Sequence, residues 1–390
     1  MWLATLAFFW RLITPDQAAR SYFGPSDFWL QFVPFHTFAA RQLAAGKLAL
    51  WDPDMYSGYP FQADIQTAVT YPIAALNEWL GGRGFSFMAL EWEAVVHFGL
   101  AATFTFLLVR LLTGSVLAGL LGALTFAFSG FLTSYPSQQL PVLESTVWLP
   151  LELYCLERAA LRAQIRNSKF KIQNSSLWLA LAGGAFGLAV LAGHPQTMLY
   201  LAYIGVAYFL FRFPWRTWWR GVFVAVPAIA LPAVQLLPSL QLFGVNGKGR
   251  LDYAFAAGGL LPGDLAGVVL DQPDGGRILY LGLVPLALAL VALIFVRKRQ
   301  VGFWAVVAAV AVLLSLGTYG PLFRLFFDVL PGWDLFRDQE RAVVLFAMAG
   351  AILAGYGVTA LKRFPRLGPA LAVLLCLASY ANLWWANSSN

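Results

Sequence analysis

The chain alternates between long apolar runs and shorter polar segments. Runs long enough to cross about 30 Å of hydrocarbon cover residues 94–112, 115–134, 140–159, 177–193, 197–212, 219–240, 279–296, 301–317, 341–361 and 367–386. Each run predicts an α-helix, because a helix satisfies its own backbone where lipid offers no hydrogen bonds. With the apolar segment Met1–Ile13 counted as a clipped first span, the pattern predicts an all-α polytopic membrane protein. It would have about eleven transmembrane helices.

Composition supports a lipid environment along the whole length. Of the 390 residues, 59% are hydrophobic and 12% are charged, whereas soluble domains carry about 25% charged residues. Cys155 and Cys376 lie in apolar runs and are expected to be buried thiols, so no disulfide is predicted. His36, His97 and His194 are too scattered to predict a metal site from spacing alone.

Basic residues orient the predicted spans. They cluster after the fourth, sixth, eighth and tenth spans, which puts all of them on one side of the membrane. The positive-inside rule then makes the N-terminus cytoplasmic and the C-terminus extracytoplasmic. This topology explains the net charge of +7, and no nucleic-acid partner is expected. We predict a single transmembrane domain over 1–390, with extracytoplasmic loops at 14–93, 241–278 and 318–340 and a cytoplasmic linker at 160–176.

The first extracytoplasmic loop, 14–93, is long, aromatic and acidic. Residues 27–45 have helical periodicity that Gly46 can end, which predicts an amphipathic helix at the membrane interface. The turn-forming segment LWDPDMYSGYP follows. A second interfacial helix is predicted from about Asp64 to Leu80, with a kink at Pro72.

Polar groups gather in this loop, so candidate chemistry is sought there first. Asp27 has two interpretations: a helix N-cap, or a general base or metal-binding carboxylate at the water–lipid boundary. Asp64 has the same two interpretations. The aromatic side chains in the loop fit an interfacial belt and fit a sugar-stacking platform equally well; they are Trp51, Tyr56, Tyr59 and Tyr71.

An ordered series of short motifs resembles the bacterial YfhO family of integral membrane proteins. In the first loop the motifs are Asp27-x3-Gln31-x2-Pro34, Gly46-x3-Leu50-Trp51-Asp52-Pro53, Gly58-Tyr59-Pro60, Asp64-x-Gln66 and Tyr71-Pro72. Later ones are Trp148-Leu149-Pro150-Leu151, Gly193-His194-Pro195-Gln196, Tyr280-Leu281-Gly282-Leu283 and the stretch 317–341. The resemblance runs over most of the chain.

That family is similar in architecture to the GT-C glycosyltransferases, which take a sugar from a polyprenyl-phosphate carrier at the outer face of the membrane. The resemblance implies that Asp27 is the catalytic base of an inverting transfer to a cell-envelope glycan or glycolipid. The resemblance implies no particular cofactor, and a divalent cation is compatible with the reaction. The positions expected to bind substrate are Gln31, Asp64, Gln66, Tyr71, His194, Gln196, Arg337 and Arg341.

Some of these positions also have structural interpretations. His194 and Gln196 fit polar caps of a tight turn, and Arg341 fits an arginine that reaches to the membrane boundary. The resemblance places the protein in the bacterial cytoplasmic membrane.

Two other functions remain open. A transporter or lipid flippase would explain the helix count, and Pro227, Pro232 and Pro238 interrupt one span around Gln235 as broken helices do. Members of the family are usually longer than this chain, which ends at Asn390 directly after an apolar run. That difference leads to the expectation of a short, inactive paralogue or a gene fragment.

Overall fold

The computed structural model describes residues 1–24, 26–134, 139–164, 171–245, 249–270, 275–361 and 368–387. Within these ranges the chain holds no β-strand, and the only bridge recorded there joins Asp52 to Tyr59. The α-helices are α1 Trp2–Phe8, α2 Trp10–Ile13, α3 Val33–Ala44, α4 Pro72–Gly81, α5 Phe87–Thr113, α6 Val116–Ala127, α7 Gly130–Thr133, α8 Leu140–Thr146, α9 Leu149–Gln164, α10 Lys171–Leu191, α11 Pro195–Arg212, α12 Val222–Ala230, α13 Ala233–Val245, α14 Tyr253–Ala256, α15 Leu283–Phe295, α16 Arg299–Ser315, α17 Phe323–Val329, α18 Val343–Ala360 and α19 Gly368–Asn387. The all-α prediction is confirmed.

Several helices are suited to cross a membrane. Over the described residues, four segments are long and apolar enough: Phe87–Thr113, Val116–Thr133, Gln339–Ala360 and Gly368–Asn387. A fifth span results if Trp215–Ala230 and Ala233–Val245, which meet at 72°, are counted together. The protein is thus a multi-pass membrane protein, but the predicted count of about eleven spans is not confirmed.

Prolines explain why two predicted spans are divided. The run 140–159 separates into α8 and α9, and Pro150 has no N–H to donate to the carbonyl of Thr146. The run 219–240 bends between α12 and α13, where Pro232 likewise has no N–H for the carbonyl four residues earlier. A hydrophobicity pattern records neither break.

The contacts divide the chain into two units. Unit 1 contains Met1–Phe8, Phe98–Pro136 and Gly249–Asn390, and its centre is α18, which is buried over almost all of its length. Small residues let neighbouring helices approach α18 closely. A methyl group at Gly357, for example, would lie 2.0 Å from the carbonyl oxygen of Leu288 on α15.

Unit 2 contains Phe9–His97 and Ser137–Lys248. In it α10 packs between α9 and α12, and α13 packs against the short 3-10 helix Phe61–Ala63. Gln235 on α13 accepts a hydrogen bond from Thr70 at 2.8 Å and donates one to the carbonyl of Gln62 at 2.6 Å. Of the linker predicted at 160–176, the flanking residues belong to α9 and α10, and 165–170 lie outside the described residues.

Candidate active-site groove

The predicted helix after Asp27 is confirmed, although it begins with a turn of π-helix. Phe28–Phe32 form the π-turn, and α3 continues from it to Ala44. Phe61 packs against this helix, with an edge contact to Phe35 at 5.4 Å between ring centroids and a tilted contact to Phe38 at 4.8 Å. π-turns are rare and are often found at functional sites, and this one carries Gln31.

Asp27 does not cap the helix that follows it. Its side chain makes no capping hydrogen bond, and Ser26 Oγ accepts from the Phe28 N–H instead, at 3.3 Å. The carboxylate of Asp27 is exposed, and its Oδ2 accepts a hydrogen bond from Gln139 Nε2 at 2.9 Å. Of the two interpretations of Asp27, the geometry therefore favours a carboxylate available to a ligand.

The segment from Trp51 to Tyr59 forms an ordered loop. Asp52 and Tyr59 exchange two backbone hydrogen bonds of 2.9 and 2.8 Å. Tyr56 and Ser57 adopt positive φ values of 51° and 65°, which are uncommon outside glycine. The Asp52 side chain accepts the Asp54 N–H at 2.9 Å, which fixes the start of the turn.

Asp64 joins this loop to the π-turn. Its carboxylate accepts hydrogen bonds from the Tyr59 hydroxyl at 2.7 Å and from the Gln66 N–H at 2.9 Å. Gln66 Oε1 in turn accepts from Gln31 Nε2 at 3.0 Å. Burial, together with the hydrogen bond and charge of Asp64, raises the pKa of Tyr59, so its hydroxyl remains a donor. The structure therefore brings together three of the predicted substrate-binding residues, Gln31, Asp64 and Gln66.

These elements enclose an open groove of about 630 Å³. Four carboxylates line it, and no lysine or arginine is among its described lining residues. Carboxylates accept hydrogen bonds from sugar hydroxyls, and tyrosines provide flat apolar surface. The lining residues are Asp27, Leu30, Gln31, Pro34, Phe35, Asp52, Asp54, Met55, Tyr56, Tyr59 and Asp64.

Tyr71 is not among the residues that line the groove. It is fully buried, and its hydroxyl lies 2.8 Å from His97 Nε2 and accepts the Trp148 indole N–H at 3.0 Å. The kink predicted at Pro72 is wrong: Pro72 begins α4, where its missing N–H removes no helical hydrogen bond.

His194 and Gln196 lie at the start of α11 and are also absent from the groove lining. His194 caps the helix, with Nδ1 accepting the Thr197 N–H at 3.1 Å, and Gln196 donates to the Tyr200 hydroxyl at 2.9 Å. Gly193 has a φ of +90°, and a methyl group there would lie 2.2 Å from the Ile65 carbonyl oxygen. The turn therefore packs directly against the segment that holds Asp64 and Gln66.

Arg337 and Arg341 belong to unit 1. Both form ion pairs with Asp338, at 3.4 and 3.2 Å respectively. Arg337 also lies 5.5 Å from the ring centroid of Phe255. Asp271 and Asp274, in the predicted extracytoplasmic loop 241–278, lie outside the described residues.

A buried pair of titratable groups joins α3 to α4. His36 on α3 and Glu78 on α4 lie 2.8 Å apart. Burial lowers the pKa of His36, but the hydrogen bond and charge of Glu78 outweigh it, and the net pKa is raised. Burial raises the pKa of Glu78 by more than His36 lowers it.

This pair predicts a pH-dependent stability. Both groups bind protons more tightly in the folded state than in the unfolded state. Their contribution to stability is therefore greatest at low pH and is lost as pH rises through their raised folded-state pKa values. Each pKa unit by which the folded and unfolded states differ corresponds to about 1.4 kcal/mol of stability. We expect the apparent Tm in detergent to fall as pH rises above the ordinary pKa values of Glu and His, about 4.3 and 6.5, and the doubly substituted His36→Gln, Glu78→Gln variant to reduce the slope. An unchanged slope would contradict this assignment, and Asp16→Asn is the matched control.

Sequence reasoning did not place Asp52 and Asp54 among the site residues. Both were visible in the WDPD segment, which carries two carboxylates around a proline. They line the same groove as Asp27 and Asp64, and the β-bridge between Asp52 and Tyr59 that shapes their loop is a feature that no periodicity shows. A cluster of acidic and tyrosine residues between turn formers was the available signal.

Comparison with known structures places the fold. ArnT from Cupriavidus metallidurans, bound to undecaprenyl phosphate, aligns with a TM-score of 0.59 and 12% identity over 99% of this chain and 74% of that chain. The arabinofuranosyltransferase AftD from Mycobacteria aligns with a TM-score of 0.57 and 17% identity over 99% of this chain and 28% of that chain. The chain therefore shares the fold of these two solved structures.

Another solved structure, the archaeal oligosaccharyltransferase AglB from Archaeoglobus fulgidus, aligns with a TM-score of 0.49 and 14% identity. It was solved with an inhibitory peptide and a dolichol-phosphate, and the alignment covers all of this chain and 54% of that chain. This chain therefore spans about half the length of that relative. Neither the known protein families nor the curated proteins match the sequence, so the resemblance to the YfhO family stays a prediction.

Proposed function

We propose that the protein is a membrane glycosyltransferase that takes a sugar from a polyprenyl-phosphate carrier. The observation that carries the proposal is the groove. In it the Asp27 carboxylate is exposed, makes no capping hydrogen bond, and shares the lining with the carboxylates of Asp52, Asp54 and Asp64. The fold supports it, because ArnT binds undecaprenyl phosphate and AftD is an arabinofuranosyltransferase. The acceptor is proposed to be a cell-envelope glycan or glycolipid.

In the proposed reaction Asp27 is the general base. Its carboxylate takes the proton of the acceptor hydroxyl, and the hydroxyl oxygen attacks the anomeric carbon from the face opposite the carrier. The bond between that carbon and the phosphate oxygen breaks, and its electron pair leaves with the lipid phosphate. Configuration inverts. The phosphate is a weakly basic leaving group, so the reaction needs no strong general acid.

The other roles follow the shape of the groove. Gln31, Asp64 and Gln66 form one hydrogen-bonded chain and are proposed to bind sugar hydroxyls. Tyr71, His194 and Gln196 are buried, and they would act by positioning that chain. A leaving phosphate requires nearby positive charge, and Arg337 and Arg341 remain its predicted source. The clusters of basic residues predict that the first loop, 14–93, lies on the extracytoplasmic side, so the reaction is proposed to take place there.

A transporter is the second candidate, and the bent pair α12 and α13 favours it. Broken helices in transporters expose backbone groups to a substrate at the membrane midplane. Here the side chain of Gln235, near the bend, bonds to Thr70, Gln62 and Ser239. The polar group at the break is thus satisfied by the protein itself, and the bend fits a structural role better.

Native mass spectrometry of the gently purified protein tests the proposal without knowledge of the acceptor. We expect a co-purifying polyprenyl-phosphate sugar whose mass identifies the class of sugar. Bound phospholipid in the same spectrum is the internal control that lipids survive the measurement. If only phospholipid is bound after excess undecaprenyl-phosphate-linked sugar has been added, the glycosyltransferase proposal is wrong.

A further inference from the structure

A second polar cluster lies inside unit 2, apart from the groove. Glu93 and His97 stand one helical turn apart on α5, and Glu144 lies on α8. One ligand atom from each of the three residues lies within 4.8 Å of the other two. His97 Nε2 is 4.0 Å from Glu144 Oε1. None of the three lines the groove.

The carboxylates of this cluster are buried, and Asn77 Nδ2 donates a hydrogen bond to Glu93 Oε2 at 2.6 Å. Glu144 and Glu93 are 0% and 3% exposed. Both oxygens of Glu144 and Oε1 of Glu93 lack a hydrogen-bond partner among the described residues. Neither glutamate forms an ion pair there with lysine or arginine. Two ionised carboxylates in such a place are strongly unfavourable, so the cluster needs either a cation or a shared proton.

The orientation of His97 decides which nitrogen is available. Its Nδ1 lies 2.7 Å from the Glu93 carbonyl oxygen, which can only accept, so Nδ1 carries the proton. Nε2 therefore presents its lone pair toward Glu144 and Tyr71. The Tyr71 hydroxyl, 2.8 Å away, donates to this lone pair. A histidine held by a carbonyl at one nitrogen, with a lone pair on the other, is the usual arrangement of a metal ligand in proteins.

We propose that Glu93, His97 and Glu144 bind a divalent transition-metal ion, and that Zn²⁺ fits best. One imidazole and two carboxylates suit zinc better than magnesium, which prefers oxygen ligands alone. The two carboxylate charges balance the charge of the ion. This metal joins α5 to α8 and is a structural site independent of the sugar-transfer proposal.

The geometry requires only a small adjustment. Ligand atoms around a tetrahedral zinc ion at about 2.1 Å lie about 3.4 Å apart, so the cluster contracts by a little over 1 Å at its widest. The Tyr71 hydroxyl, 2.8 Å from Nε2, turns from that nitrogen to a glutamate oxygen. The Trp148 N–H continues to hold the Tyr71 oxygen.

Metal analysis of the purified full-length chain tests this proposal. After dialysis against Zn²⁺ and removal of excess ion, we expect about one Zn²⁺ per chain and at least tenfold less in Glu144→Gln and in His97→Asn. Glu152→Gln is the matched control, because Glu152 is also buried with an unpartnered oxygen but lies outside the cluster. It should retain zinc.

Two results would overturn the proposal. One is wild-type protein that binds no more zinc than Glu144→Gln, which would mean that Glu93 and Glu144 share a proton instead. The other is equal loss of zinc in Glu152→Gln. If the cluster variants fail to fold, Co²⁺ loaded into the wild-type protein decides: a tetrahedral d–d absorption spectrum supports the site, and the spectrum of free aqueous Co²⁺ rejects it. Neither readout depends on sugar transfer, so this proposal can fail while the proposed function stands.

Discussion

Replacing Asp27 by Asn is expected to slow sugar transfer by at least about a hundredfold, the usual loss when a general base is removed. Asparagine keeps the size of the side chain, and its oxygen can still accept the hydrogen bond from Gln139. It cannot take a proton from the acceptor hydroxyl. The measurement is the turnover of undecaprenyl-phosphate-linked radiolabelled sugar in membranes that contain equal amounts of wild-type and variant protein.

Two controls make this result specific to catalysis. Asp16→Asn removes another exposed carboxylate of unit 2. Asp16 accepts a hydrogen bond from the Ala18 N–H and does not line the groove, so this variant should keep the wild-type rate. Native mass spectrometry of Asp27→Asn should show the carrier still bound, which separates the chemical step from donor binding. Full turnover by Asp27→Asn would remove Asp27 from the reaction.

Arg212→Met is expected to cause the largest loss of stability, about 3–5 kcal/mol. Arg212 donates to both oxygens of Glu157, with Nε 2.5 Å from Oε2 and Nη2 2.7 Å from Oε1, and the Tyr208 hydroxyl adds a third bond of 2.8 Å. Methionine fills similar volume but leaves a buried carboxylate without a cation. The apparent Tm in detergent, followed by unfolding-sensitive fluorescence, measures the loss.

The paired substitution distinguishes an isolated charge from lost packing. In the double variant Glu157→Met, Arg212→Met no charge is left buried, so most of the stability should return. The exposed Arg216 gives the matched single control, and Arg216→Met should change the apparent Tm little. A double variant as unstable as Arg212→Met alone would show that shape, and not charge, holds α9 to α11.

Local sequence signals predicted local structure well. The helix over Asp27–Ala45 and its end near Gly46 are confirmed, as is the helix after His194. The prolines of the span 219–240 correctly indicated its break near Pro232, but the signals failed at Pro72, which begins a helix, and at Pro150, which accompanies a break. Hydrophobicity could not separate these cases, because the outcome depends on which carbonyl the missing N–H leaves without a partner.

The sites could be predicted only in part. Gln31, Asp64 and Gln66 are brought together as expected, since all three lie in one loop and reach each other through short turns. The grouping of Glu93 and His97 with Glu144 was not foreseen. Glu93 was assigned to a loop and Glu144 to a different span, and α8 brings them together only through tertiary packing. The number and spacing of the histidines gave no indication of this cluster, because only one of its members is a histidine.

The hydrogen bonds around the groove also differ in how much chain must be closed to form them. Asp52 and Tyr59 are seven residues apart, whereas the Gln31–Gln66 bond spans 35 residues and the Gln139–Asp27 bond spans 112. Loop-closure entropy grows with the length of the loop, so we expect the loop from Trp51 to Tyr59 to form first during folding and the Asp27 contact to form last. A nascent chain therefore acquires the wall of its groove soon after synthesis of the first loop. It gains a fixed Asp27 only once α8 has emerged.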